Sequence, residues 1–303
     1  MPRIFKYMAY LAAFALSYAL FLYWVFPYNA LRDRILGEIE QQIGGGVQVS
    51  AKSLEPYWIT GVEVEGLSVE GPGPSGLVPL IKVKRATARA ALVPLIFGSR
   101  RVTFDVRMPK GSVYGYAKIG DETTSLEIEV DDLDLSSIPL IKERTGLTIP
   151  SRISGEARLE LNRQQPVRST GEITMALRDI RIAQSSLNLG DISLDVPELV
   201  LAKGKDSRIR ISVGKGAATL EQFTFSGGDL GIDLKGKVFL AAAVDNYRLN
   251  LKGGFTASDK LGEALPFLFI VNSQKQEDGS YPLSITGKLG RPSIKIGTFT
   301  VPL

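Results

Sequence analysis

The sequence predicts a mainly β protein: an N-terminal transmembrane helix and a short amphipathic helix, then one elongated, curved antiparallel β-sheet with a few short helices. Three observations carry this. Beyond residue 47 apolar and polar residues alternate with a period of two through most of the chain, the pattern of strands with one wet face. The 31 glycines and the 8% aromatic share suit short strands and tight turns rather than a helical bundle. The run from Tyr7 to Phe26 holds no charged residue; as a helix rising 1.5 Å per residue it is about 30 Å long, the thickness of a hydrocarbon core.

That run has Tyr7 and Tyr10 near one end and Tyr23, Trp24 and Tyr28 at the other, the placement of interfacial aromatic belts. Ala13-Phe14-Ala15 matches a small-x-small cleavage site, but cleavage there would leave an apolar stretch at the new N-terminus, so an uncleaved anchor is expected. Arg3 and Lys6 ahead of the run favour a cytoplasmic N-terminus, although Arg32 and Arg34 follow it closely. Residues 1–27 are therefore expected to be a cytoplasmic stub and transmembrane anchor, and residues 28–303 a β-rich domain across the membrane.

The domain is expected to open with an amphipathic helix over residues 28–46. Leu31, Ile35, Leu36, Ile39 and Ile43 recur at helical spacing and Gly44-Gly45-Gly46 stops the helix. Packing against the sheet is its expected role, with a position on the membrane surface as the alternative. Strands are predicted at 47–49 and 59–69, and then at 103–107, 126–130, 156–161, 171–177, 208–213, 232–235 and 248–251. Ser136–Arg144 and Ser258–Val271 read as short helices, the second with Ser258 and Asp259 as capping candidates and Pro266 as a kink. No Ser-, Pro- or Gly-rich linker divides the domain.

The chain has neither cysteine nor histidine, which removes disulfides, thiolate nucleophiles, most zinc sites and imidazole acid-base chemistry. No catalytic, cofactor-binding or metal-binding residue is assigned, and no enzyme is expected. The net charge of +4 includes Arg3 and Lys6, so the remainder is nearly balanced and has no nucleic-acid footprint. Gly71-Pro72-Gly73-Pro74-Ser75-Gly76 matches a phosphate-loop spacing, but no helix follows, so it reads as an exposed loop. Glu127, Glu129, Asp131, Asp132 and Asp134 read as a solvated acidic face rather than a calcium site. Lys82, Lys84, Arg85 and Arg89 read as charges guarding an edge strand, with anionic headgroups as the alternative partner. The apolar run Ala90–Phe97 reads as a buried strand or loop.

Three stretches carry a resemblance: Tyr57-Trp58-Ile59-Thr60-Gly61-Val62-Glu63-Val64 after the anchor and helix; Leu133-Asp134-Leu135-Ser136-Ser137-Ile138-Pro139-Leu140 with Ile153-Ser154-Gly155-Glu156-Ala157-Arg158-Leu159; and Leu283-Ser284-Ile285-Thr286-Gly287-Lys288-Leu289-Gly290-Arg291-Pro292-Ser293. In this order they resemble the type II secretion system protein N (GspN) family and, more distantly, the AsmA and TamB envelope proteins. The resemblance implies a single-pass inner-membrane protein with a periplasmic AsmA-like half-barrel or trough. It implies a non-catalytic structural or interaction module of the type II secretion machinery, with other secretion-system proteins as partners. The AsmA-like side of the resemblance implies the alternative, a lipid-binding or lipid-transfer module holding phospholipid in an apolar β-groove.

Overall fold

The computed structural model describes residues 28–43, 46–58, 60–73, 76–91, 100–162, 164–189, 192–203, 207–241, 246–264 and 271–301. Ahead of them it describes only Lys6, Tyr7, Tyr10, Ala13, Phe14, Ser17, Tyr18, Phe21 and Val25, all helical. Most of the expected span therefore lies outside the described residues, as do Pro74, Ser75, Pro266 and most of the apolar run after Ala90. Among the described residues no helix is long and apolar enough to cross a membrane.

Helix α1 (Tyr28–Ile43) ends at the predicted glycines. Its Ile35 and Leu36 are half-buried while Arg34 and Glu38 are exposed, as an amphipathic helix requires; the side chains of Leu31, Ile39 and Ile43 are outside the description. The helix packs on β1 (Gln48–Ser50) and β2 (Ser53–Tyr57), and Glu40 Oε1 accepts a hydrogen bond of 2.6 Å from Val49 N.

One 16-stranded sheet holds most of the chain, and its neighbouring strands are all antiparallel. Its first half is a meander of β3 (Gly61–Gly73), β4 (Gly76–Ala90), β5 (Arg100–Arg107), β6 (Ser112–Ile119), β7 (Thr123–Leu133), β8 (Arg152–Asn162) and β9 (Thr170–Arg178). β1 and β2 both pair along β3. The chain then leaves the sheet for β10 (Ile180–Ile182), β11 (Ser185–Leu189), β12 (Ile192–Val196) and β13 (Leu199–Ala202), which form two separate hairpin-like pairs, β10 with β13 and β11 with β12. It rejoins as β14 (Ser207–Gly214), laid against β9, and continues through β15 (Ala217–Phe225), β16 (Leu230–Phe239), β17 (Arg248–Ala257), β18 (Tyr281–Lys288), β19 (Arg291–Ile296) and β20 (Phe299–Val301).

Each of the body strands predicted from alternation, from 103–107 onward, lies inside an observed strand. The first predicted helix is broken in two: a 3-10 turn at Leu135–Ser137 and α2 (Pro139–Thr145). The break has a local cause. Ile138 precedes a proline and is driven to extended φ −105, ψ 98, while Pro139 itself suits the first helical turn. The second helix is α3 (Asp259–Ala264), with Leu261 N bonded to the predicted cap Ser258 Oγ at 3.3 Å. Gly71, Pro72 and Gly73 are not loop, as expected, but the end of β3, facing β4 from Gly76 to Val78. Pro72 fits there because β1 pairs only with residues 68–70 of β3, so at Pro72 the strand has β4 on one side and a free edge on the other, where a strand proline is tolerated.

Two buried clusters lie at one end of the sheet, while Val49, Leu54, Val83, Ala217, Leu220 and Leu234 are buried outside them. At that end β10, β13 and α3 cover the sheet, and Leu199, Leu261, Val271, Tyr281 and Ile296 form one cluster with Phe255 and Leu283. Leu177, Ile180 and Ala202 form a second with Ile153, Ile209 and Phe225.

Candidate functional site

Because residues directly opposite in an antiparallel pair share a face, the register links side chains into rows across the strands. The central row is Phe104, Gly115, Ile128, Ala157, Ile173, Ile211, Leu220, Gly236, Leu251, Ile285, Ile294 and Val301. It crosses β5 to β9 and β14 to β20 and has no polar side chain. At about 4.8 Å per strand the row is roughly 50 Å long. A second such row runs beside it on the same face, from Val102 through Leu126, Leu159, Val213, Val238 and Leu249 to Pro292.

Both rows lie away from the covered end. Of their residues only Val301 packs against either buried cluster; Leu220 is buried, and the other leucines, isoleucines and valines of the two rows are half-buried. An extended apolar strip in this state is unusual for an isolated soluble protein, where large uncovered apolar surfaces mark a binding site. Two glycines on this face mark places where the neighbouring strand's backbone comes close. A Cβ at Gly236 would fall against the backbone oxygen of Asn250, and one at Gly253 against that of Asp233. Glycine in a strand interior commonly marks such a close backbone approach.

The opposite face is polar in the same register. Thr103, Tyr116, Glu127, Arg158, Glu172, Ser212, Thr219, Lys237, Asn250, Thr286 and Ser293 form an unbroken row. Glu127 sits among Tyr116 and Arg158, whose Nε is 3.5 Å away. The Tyr116 hydroxyl, and after burial's opposing push the Arg158 guanidinium, hold the Glu127 carboxyl below the usual carboxylate range. The Arg101 guanidinium stacks 3.9 Å from the Tyr116 ring centre. Tyr114 donates to Glu129, and that bond, with some burial, pushes its hydroxyl up to about 12.

The predicted acidic group thus disperses. Glu127 and Glu129 lie on the polar face, while Asp134 turns inward to hold a chain reversal. Its Oδ1 accepts from Ser136 N at 2.9 Å and Ser151 N at 3.1 Å, and its Oδ2 meets Lys110 Nζ at 3.0 Å. Burial pushes this carboxyl up, but the bonds from Ser136, Lys110 and Ser151 outweigh it and leave the group below its ordinary value. Among the described residues no three metal-ligating side chains gather. The basic group disperses too: Arg85 pairs with Glu63, Lys84 Nζ donates to Pro109 O at 3.1 Å, and Arg89 lies farther along the strand. The edge-strand expectation for this group needs correction, since β4 is bounded by β3 and, from Arg85 to Ala90, by β5. Only Lys82 and Lys84 stand where β5 does not reach. The sequence assigned no groove residues, because a row depends on cross-strand register that alternation within one strand does not specify.

No family model, no curated protein and no solved structure matches the chain.

Proposed function

We propose that the protein is a non-catalytic, membrane-tethered carrier for an acyl-type lipid, held in a trough-shaped sheet along the two apolar rows that the described residues leave largely half-exposed. The carrying observation is the central row from Phe104 to Val301, roughly 50 Å of apolar surface that the described residues leave half-exposed. Each methylene buried there contributes about 0.8 kcal/mol, so even part of one acyl chain stabilises the complex well. The glycines at 236 and 253 support close approach of neighbouring strands on this face. Support for the tether comes from the uncharged run Tyr7–Phe26, in which Tyr7, Tyr10, Phe14, Tyr18, Phe21 and Val25 are helical and each at least 55% exposed. Arg3 and Lys6 ahead of the run favour a cytoplasmic N-terminus, and the GspN-like resemblance implies an inner-membrane anchor with the β domain in the periplasm.

The GspN-like resemblance and the wide charged face favour a second reading, a structural module of a type II secretion machine. Native mass spectrometry of the full-length protein, gently extracted with its membrane neighbours, separates the two. Retained phospholipid at a fixed ratio is expected from the carrier. A lipid-free protein that brings down other secretion-system proteins would reject the carrier in favour of the scaffold.

A further inference from the structure

The turn joining β2 to β3 exposes a tryptophan in a backbone conformation that bulky residues rarely adopt. Trp58 has φ +55 and is 67% exposed; left-handed backbone at such a residue is strained, and burial of the indole within the described protein does not offset it. Its place in the fold matters. β1 and β2 run in the same direction, both antiparallel to β3. The last turns of α1 meet β1 at Glu40 and Val49, and α1 also packs on β2, so β2 runs back along the helix toward Tyr28. Trp58, which follows β2, therefore stands at the end of α1 where the chain arrives from the run Tyr7–Phe26.

A basic rim occupies the same end of the sheet. Thr60 Oγ1 donates to Ala90 O at 2.7 Å and Ala91 N to Arg101 O at 2.9 Å, which aligns the ends of β3, β4 and β5 there. Arg89, Arg101 and Lys118 are exposed on the polar face and make no ion pair among the described residues. Arg101 and Lys118 are directly opposite each other, a like-charge pair that disfavours a sheet; the Arg101 guanidinium lies over the Tyr116 ring and within electrostatic reach of Glu127, which offsets part of that repulsion. Of the carboxylates in the next turn, Asp121 is already paired with Arg100 at 3.1 Å, and Glu122 remains.

We propose that this end of the sheet rests on an anionic bilayer surface, with the Trp58 indole in the headgroup zone and Arg89, Arg101 and Lys118 against lipid phosphates. Indole rings favour that zone, and basic side chains near an anionic surface are attracted to it. The inference rests on the tethered-carrier reading and gives it a docking geometry, in which the first strands of the trough stand on the membrane.

Trp24 and Trp58 are the two tryptophans of the chain, so each can be observed alone. Full-length W24F protein is reconstituted into phosphatidylcholine vesicles containing phosphatidylglycerol, and W58F protein likewise. Trp58 emission is expected to move to shorter wavelength and to be quenched by lipids brominated near the headgroup. Both effects should be lost in R89E/K118E and weakened by high salt. The difference between wild-type and W58F signals gives the same readout without altering Trp24. Trp24 quenched by brominated acyl chains with Trp58 unquenched would overturn the docking and leave the tether standing. Quenching of neither would remove the tether reading, and the docking with it.

Discussion

Asp134 joins three parts of the chain through one carboxylate: the 3-10 turn through Ser136, the start of β8 through Ser151, and the β5–β6 turn through Lys110. Replacing it with alanine strands the Ser136 and Ser151 amides, and a buried donor without a partner costs about 1–3 kcal/mol. D134A should therefore lower the urea midpoint by a corresponding amount, and D134N by less. The titration follows from the same contacts. Asp134 and Asp229 are both held below their ordinary values in the folded protein, so their contribution is present above an unfolded pKa of about 3.9 and is lost as pH falls through the folded one. Tyr114, raised to about 12, contributes below its unfolded pKa of about 10 and loses that contribution as pH rises toward 12. Urea midpoints measured against pH should be flat between these limits and fall on both sides. Y114F should flatten the alkaline limb and D134N the acid one; unchanged limbs would show that these bonds do not set them. Gly253 acts through the space it leaves. G253V places a side chain against the Asp233 carbonyl and should cost on the order of 1–3 kcal/mol, read as a lower urea midpoint.

At the scale of elements, the cover over the buried end is fastened at Asp229, in the turn between β15 and β16. Its carboxylate accepts from Val200 N of β13 at 2.8 Å and from Ser258 Oγ, the cap of α3, at 2.9 Å. D229A frees both, so amide hydrogen exchange should quicken at 199–202 and at 261–263 while the β5–β8 amides keep their rates. Exchange that rises equally everywhere would instead mean that the cover and the main sheet open together. Ser258 was legible in the sequence as a cap because capping is a local matter of one hydroxyl and the next turn. β10 to β13 were not. Their alternation spans three to five residues each, and nothing within Ile180-Arg181-Ile182 says that its partner is Leu199–Ala202 rather than the next strand of the main sheet. The same limit applied at Asp134, which the sequence grouped with its acidic neighbours although Ser151, the residue it holds, lies 17 positions away.

Over the whole molecule, alternation made the two-faced sheet legible, but the continuity of the apolar rows comes from hairpin register and from the return of β14 to β9 across a long excursion. That return joins Ile173 to Ile211 and makes one strip out of two half-sheets. A strip that binds an acyl chain should be sensitive to charge at its middle and indifferent to charge one residue away on the other face. Ile173 and Ile285 lie on the central row and are half-buried; Thr174 and Ser284 are their neighbours on the polar face. A carboxylate facing hydrocarbon costs roughly 2.5–3.5 kcal/mol by membrane-insertion scales, so I173E/I285E should reduce phospholipid retained by the full-length protein at least ten-fold, since about 1.4 kcal/mol already corresponds to that factor. T174E/S284E should retain wild-type lipid. Circular dichroism and the urea midpoint establish that both variants are folded, which half-buried positions permit more readily than Leu199, where truncation to alanine is expected to cost about 2–5 kcal/mol. If the two pairs lose lipid equally, or neither does, the central row is not where the lipid lies.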